Sequence, residues 1–296
     1  LPPCSLSPAG ERVRVRGALC DEKWRNDVRY GVCTWILGDM PIDEVAQRLA
    51  ALGYRGLELK GDLAAYTPAR LRPLFAGLGL EVLSITPENV DLAHPDPAVR
   101  REAMDYYRRA LAFAAELACP ILSCHGAVGR VRALETQQAE WGYLREGLAT
   151  LAEAARLAGV RIALEALNRY ESHLANTAQQ ARALVEGLDA GILLDAYHMN
   201  IEEADPAAAM RLAGERLFLF HVADSNRAAP GCGHTNWPAL FGALREIGYA
   251  GDVVVECTAS GPDPFTPVKG PGWQEELAAG LRQALAFLTE HLGPQT

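Results

Sequence analysis

A closed (β/α)8 barrel, eight parallel strands each followed by a helix, is the fold the sequence predicts. Three observations point to it. Short apolar runs alternate with longer amphipathic stretches eight times from Arg29 onward. Four of the later runs end on a carboxylate or an imidazole: 162–164 on Glu165, 191–194 on Asp195, 217–220 on His221 and 253–255 on Glu256. The intervals between those residues are 30, 26 and 35 residues, each close to the roughly 30 residues of one strand–helix–strand unit. Finally, no GxGxxG motif follows the first run, which argues against an open doubly wound sheet.

In chain order, strands are expected at 29–34, 56–59, 81–85, 120–124, 161–164, 191–194, 217–220 and 252–255. Helices are expected at 42–52, 67–77, 98–117, 137–158, 177–187, 205–213, 237–247 and 273–291. Pro41 precedes the first helix, Thr67-Pro68 opens the second, Asn176-Thr177 precedes the fifth and Asp205-Pro206 opens the sixth, all start signals. Gly53, Gly77, Gly159 and Gly248 follow helical runs, where C-terminal caps belong. Residues 29–296 read as one barrel without a linker, and 296 residues suit a single α/β barrel. The first 28 residues lack a long apolar run, so they are no signal peptide. They read as a poorly ordered extension, or as the product of a start assigned too early, with Val28 near the natural start.

Charge and composition narrow the function. A formal net charge of −9 argues against nucleic acid but leaves phosphorylated small molecules open. No apolar run approaches the roughly 20 residues that span a bilayer. The seven cysteines are scattered and lack a CxxC pair. Cys119 and Cys124 read as buried free thiols, and a reducing cytoplasm follows as the default location.

If consecutive parallel strands carry Glu165, Asp195, His221 and Glu256 at the same end, all four converge on one face of the barrel. Three carboxylates and an imidazole form a metal site dominated by oxygen, suited to Mn²⁺, with Co²⁺ or Mg²⁺ as alternatives. Without a cation such crowded carboxylates repel one another and raise their own pKa values. A hard dication there polarises a sugar carbonyl and an adjacent hydroxyl and stabilises an enediolate. Glu165 and Glu256 come from the fifth and eighth strands, so they reach the metal from different sides. Two carboxylates flanking one carbon exchange its proton between faces, which is epimerisation; one base acting on neighbouring carbons gives aldose–ketose isomerisation.

At these residues the chain resembles a known family. LNRYESHLANT, DAYHMNIEE, HVADSNR with PGCGH, and VVVEC are similar to the signatures of the ketose 3-epimerases, the tagatose and allulose (psicose) 3-epimerase group. That group belongs to the xylose-isomerase-like sugar isomerase/epimerase barrels. The resemblance runs from Arg29 to about Gln283. It implies Glu165, Asp195, His221 and Glu256 as metal ligands, Glu165 and Glu256 as the acid/base pair, and Glu171, His198 and Arg227 at the O1–O3 end of the substrate. It also implies a small-molecule sugar as substrate and a homo-oligomer, dimeric or tetrameric. The residues agree, because Arg227 and His198 offer donors to sugar oxygens and Glu171 an acceptor.

The first half is less distinctive. His125, in SCHGAVGR, reads either as a core or loop histidine or as a substrate contact. Trp35 reads as an apolar wall against the sugar or as plain packing. Glu58 reads as a hydrogen-bond partner behind the site. Asp224 caps its own loop, Gly231, Gly233 and His234 form a turn or else a phosphate cradle, and Trp141 belongs to the core or an interface. The leading function is a metal-dependent ketose 3-epimerase acting on a free ketose. The alternative is a 1,2-isomerase of the hydroxypyruvate-isomerase, sugar-phosphate or sugar-acid kind. An abasic-site endonuclease on the same barrel needs a richer set of histidines than seven and a basic track for DNA. A non-catalytic sugar-binding barrel leaves the double-carboxylate set without a purpose.

Overall fold

The computed structural model describes residues 28–261, 265, 266 and 270–295. The expectations for residues 1–27 lie outside the described residues. The chain alternates β1 (Tyr30–Cys33), α1 (Ile42–Leu52), β2 (Gly56–Lys60), α2 (Pro68–Gly77), β3 (Glu81–Thr86), α3 (Pro97–Glu116), β4 (Ile121–Cys124) and α4 (Gln137–Ala158). It continues with β5 (Arg161–Glu165), α5 (Ala178–Val185), β6 (Ala190–Asp195), α6 (Ala196–Glu202), α7 (Pro206–Ala213), β7 (Leu217–Val222), α8 (Trp237–Glu246), β8 (Asp252–Val255) and α9 (Trp273–Leu292). The eight strands form a closed barrel in sequence order, every neighbouring pair parallel. The predicted (β/α)8 fold is the observed one.

Local chemistry sets the boundaries. Thr177 and Asp205 cap α5 and α7 by accepting from the backbone N–H groups of Gln180 and Ala208. Gly53 and Gly159 end α1 and α4 in the left-handed conformation. Gly77 does not share that role. It is the last residue of α2, and the turn falls on Gly79, with φ 67°. At the base of the barrel Arg29 donates to both oxygens of Asp252, at 2.8 Å each, fastening the first strand's entry to the last strand.

Two register shifts shape the barrel's C-terminal mouth. The pairing of β2 with β3 slips between Leu57 and Glu58, so Glu58 comes level with Ser84. The pairing of β6 with β7 slips between Ile192 and Leu193, which brings Asp195 level with His221. Irregularities of this kind re-aim side chains near active sites. Cys119 and Cys124 are buried free thiols, as are Cys33 and Cys257. Among the described residues no helix is long and apolar enough to cross a membrane.

Candidate active site

Glu165 is the last residue of β5 and Asp195 the last of β6, His221 lies near the end of β7, and Glu256 directly follows β8. All four therefore stand at the C-terminal mouth of the barrel, where enzymes of this architecture keep their chemistry. Each is buried. His221 Nδ1 lies 3.6 Å from Glu256 Oε2 and 4.0 Å from Glu165 Oε1. Ligand atoms of Glu165, His221 and Glu256 fall within 4.8 Å of one another, as do those of Asp195, His198 and Glu256, so Glu256 joins the two groups. Two buried polar atoms in this cluster, Asp195 Oδ2 and His221 Nδ1, have no hydrogen-bond partner. An unsatisfied buried polar atom costs about 1–3 kcal/mol, and binding of a divalent cation would satisfy each. The donor set fits such an ion.

The electrostatics match. Burial, reinforced by Glu256 and Asp195, pushes the Glu165 carboxyl well above the usual carboxylate range. Burial and the charge of Glu256 push Asp195 up to about 7. Burial acts on Glu256 in the same direction, but His221 and Arg227 outweigh it and hold Glu256 below its ordinary value. Burial lowers His221, yet Glu58 and Glu256 overcome that and raise it well above a normal histidine. In the metal-free protein, protons stand where a cation would compensate the negative charge.

The residues expected at the substrate end gather beside this cluster. His198, on α6, has Nε2 3.6 Å from Asp195 Oδ2 and 3.8 Å from Glu165 Oε1. Its Nδ1 receives the backbone N–H of Asn168 at 3.3 Å, so Nδ1 is the acceptor and the proton sits on Nε2, facing the carboxylates. Burial and Arg227 bring its pKa down to about 3, leaving the ring neutral. Glu171 Oε1 lies 3.9 Å from His198 Nδ1, and burial raises this carboxyl. Arg227 Nη2 donates to Glu256 Oε2 at 3.2 Å, while its Nε and Nη1 are buried without hydrogen-bond partners, Nη1 lying 4.0 Å from Asp195 Oδ2. Arg227 occupies the left-handed region at φ 60°, a strain on the order of 1 kcal/mol that the surrounding loop sustains. Its guanidinium also lies over the ring of Tyr197, 4.5 Å from the centroid.

Trp35 has a role not expected from the sequence. It lies on the 3₁₀ turn Thr34–Leu37 and its indole N–H donates to Glu256 Oε1 at 2.8 Å. With Arg227 on the other oxygen, Glu256 is pinned at both ends. The Trp35 ring also stacks on Phe265, with centroids 5.5 Å apart. Asn168 is a further residue the sequence did not single out. It is buried, and its amide reaches Glu171 Oε1 and His198 Nδ1 at 2.8 Å each. His125 directly follows β4, at the same end of the barrel. Burial lowers its pKa to about 4, its Nδ1 has no partner, and among the described residues no hydrogen bond or ion pair links it to the others. Asp224 organises the loop after β7, accepting from the N–H groups of Ser225, Gly231 and Thr235 and from Trp237. The N–H of Gly231 is thereby committed, and those of Cys232 and His234 go to Ala229 O and Ser225 Oγ, which favours the turn reading of this segment.

A parallel barrel with buried carboxylates and histidine gathered at its C-terminal mouth has the layout of a TIM-barrel enzyme, and comparison with known proteins places it further. The chain belongs to the xylose isomerase-like TIM barrel family, whose sequence model matches residues 46–291. It is 29% identical over 252 residues to the D-psicose 3-epimerase of Ruminiclostridium cellulolyticum, covering 81% of each chain. It is 35% identical over 188 residues to the L-ribulose 3-epimerase of Mesorhizobium japonicum, covering 62% of this chain and 63% of that one. A crystal structure of D-psicose 3-epimerase with D-tagatose, from Clostridium cellulolyticum, superposes with a TM-score of 0.81 at 25% identity, over 90% of this chain and all of that one. The resemblance to ketose 3-epimerases seen in the motifs thus extends along most of the chain.

Proposed function

We propose that this protein is a divalent-metal-dependent ketose 3-epimerase acting on a free ketose. The observation that carries the reading is the pair Glu165 and Glu256, buried, three strands apart, on either side of the unpartnered His221 Nδ1. The names of the relatives, D-psicose and L-ribulose 3-epimerase, support it.

Glu165, Asp195, His221 and Glu256 would hold the ion, with Mn²⁺ preferred and Co²⁺ or Mg²⁺ as substitutes. The bound ion supplies positive charge beside the carbonyl and hydroxyl oxygens of the reacting carbons. One carboxylate of the Glu165–Glu256 pair takes the C3 proton, and the electron pair of that C–H bond moves toward the C2 carbonyl. The opposite member, protonated at the start, returns a proton to the other face of C3, and the configuration inverts. His198 Nε2–H and the free N–H groups of Arg227 donate to the oxygens at C1–C3, and Glu171 accepts from a hydroxyl. Trp35 and Arg227 keep Glu256 from turning away. His125 offers its Nδ1 to a sugar hydroxyl from the β4 side. The buried free thiols Cys33, Cys119, Cys124 and Cys257 fit a cytoplasmic enzyme, and we take it to be a homodimer or homotetramer.

The test is deuterium exchange. Incubated with Mn²⁺ in D₂O, the protein is expected to place label at C3 of fructose, tagatose or ribulose while the C3 epimer accumulates. Glu165→Gln and Glu256→Gln are each expected to cut the rate by at least ~100-fold. Label appearing only at C1 or C2 with an aldose product would replace the epimerase by the 1,2-isomerase.

A further inference from the structure

We infer that Glu58 is the positioning residue of the metal centre: its contact with His221 fixes the ring so that Nδ1, not Nε2, is presented to the ion. The inference rests on the proposed metal site and adds a residue to it. Glu58 lies on β2 and His221 on β7, 163 positions apart in the chain, yet His221 Nε2 and Glu58 Oε2 are 3.1 Å apart and both side chains are buried. An ionised carboxylate only accepts, so in the neutral ring that an ion would bind this contact keeps the proton on Nε2 and leaves the lone pair on Nδ1. That lone pair is on the atom found 3.6 Å from Glu256 and 4.0 Å from Glu165.

Glu58 is itself held on every side. Ser84 Oγ donates to Oε2 at 2.5 Å, Thr86 Oγ1 donates to Oε1, and Cys33 Sγ approaches Oε1 at 3.3 Å. These donors come from β3 and β1, the strands flanking β2. The slip in register at Leu57/Glu58 sets Glu58 beside Ser84, so the strand irregularity and the hydroxyl act together. A buried carboxylate with this many donors cannot swing without leaving several of them unpaired, each at a cost. The rigidity of the first three strands is thereby passed across the barrel to a histidine on the seventh. Carboxylates behind a ligating histidine typically change metal affinity by about 10–100-fold when removed.

The test combines calorimetric Mn²⁺ titration with nitrogen NMR of histidine-labelled protein. Glu58→Met removes the acceptor at similar length and is expected to weaken Mn²⁺ binding by about 10–100-fold. Glu58→Gln keeps a carbonyl for His221 and is expected to recover part of that loss. Unfolding in excess chelator shows whether each variant is folded. In the Mg²⁺-loaded wild type, His221 is expected to carry its only proton on Nε2. A folded Glu58→Met variant that binds Mn²⁺ within about twofold of wild type would overturn the inference, as would a His221 proton on Nδ1. Should neither variant fold, the wild-type spectrum alone decides between those two placements. Wild type that binds no divalent ion at all would bring down the metal reading itself, a result distinct from an unchanged variant.

Discussion

Asn168 donates its amide to Glu171 and to His198, and its backbone N–H reaches the same His198 nitrogen. Those contacts hold in place the two side chains proposed for the substrate end, Glu171 and His198, without touching the carboxylates that would carry the ion. Asn168→Ala therefore removes the side-chain donors and leaves the backbone one. One or two such hydrogen bonds amount to about 1.5 kcal/mol, so KM for the ketose is expected to rise about tenfold. The Mn²⁺ dissociation constant should stay within twofold. A parallel loss of Mn²⁺ affinity would show that Asn168 supports the metal cluster instead. Nothing in the type of residue 168 announces this role, because its partner His198 lies 30 positions away. Trp35 was hidden for the same reason: an indole reads as an apolar surface until Glu256 is found at its N–H. Residues that end a strand on a charge are legible from the chain alone. Residues that act by pointing at another side chain across the fold are not.

At the scale of elements, the strands and long helices were legible because each carries an apolar periodicity and a start or stop signal. The exception is α6. Asp195 closes β6 and also caps α6, accepting from the Tyr197 N–H, so strand passes to helix without any linking loop to mark it. The seven-residue length is too short for a helical period to stand out. A second feature of this scale is the clip that ties the loops around the site. Arg130, after β4, pairs with Asp91 after β3 at 2.9 Å and with Glu140 in the first turn of α4. His173, in the loop that carries Glu171, lies 2.8 Å from Glu140 Oε2. Glu140 has no exposed side-chain surface. Burial pushes its carboxyl up, but Arg130 and two backbone N–H groups outweigh that and leave it below its ordinary value. A depressed folded-state pKa means stability that is fully present above the unfolded value, near 4.5, and lost as pH falls through the folded one. Glu140→Gln is thus expected to cost about 3 kcal/mol at pH 7. The gap to wild type, read from denaturant midpoints, should narrow as pH is lowered below about 4.5. A gap that stays constant down to pH 3 would mean that the charge on Glu140 plays no part in it.

The whole molecule poses a different problem, since a closed barrel brings Glu165, Asp195, Glu256 and Glu58 into one buried region. Folding this chain without a cation means protonating or repelling these groups, and both weaken the last four strands that carry three of them. A ligand that binds only the folded state stabilises it by RT ln(1 + [L]/Kd), about 2.7 kcal/mol at a hundredfold excess over Kd. For a chain of this size that is a rise in Tm of roughly 4 °C. Thermal unfolding with Mn²⁺ at a hundred times Kd, against excess chelator, is expected to show this rise. Asp195→Asn and Glu256→Gln should each shrink it, because the cation then has fewer charges to neutralise. The chelated Asp195→Asn variant should melt no lower than the chelated wild type, since that carboxyl is raised by burial and by Glu256, whereas chelated Glu256→Gln should melt lower, because His221 and Arg227 stabilise the Glu256 charge. A wild-type Tm indifferent to Mn²⁺ would show that the charges at the barrel mouth are balanced within the chain itself, by Arg227 and a protonated His221, and that the site was built for something other than a tightly held dication.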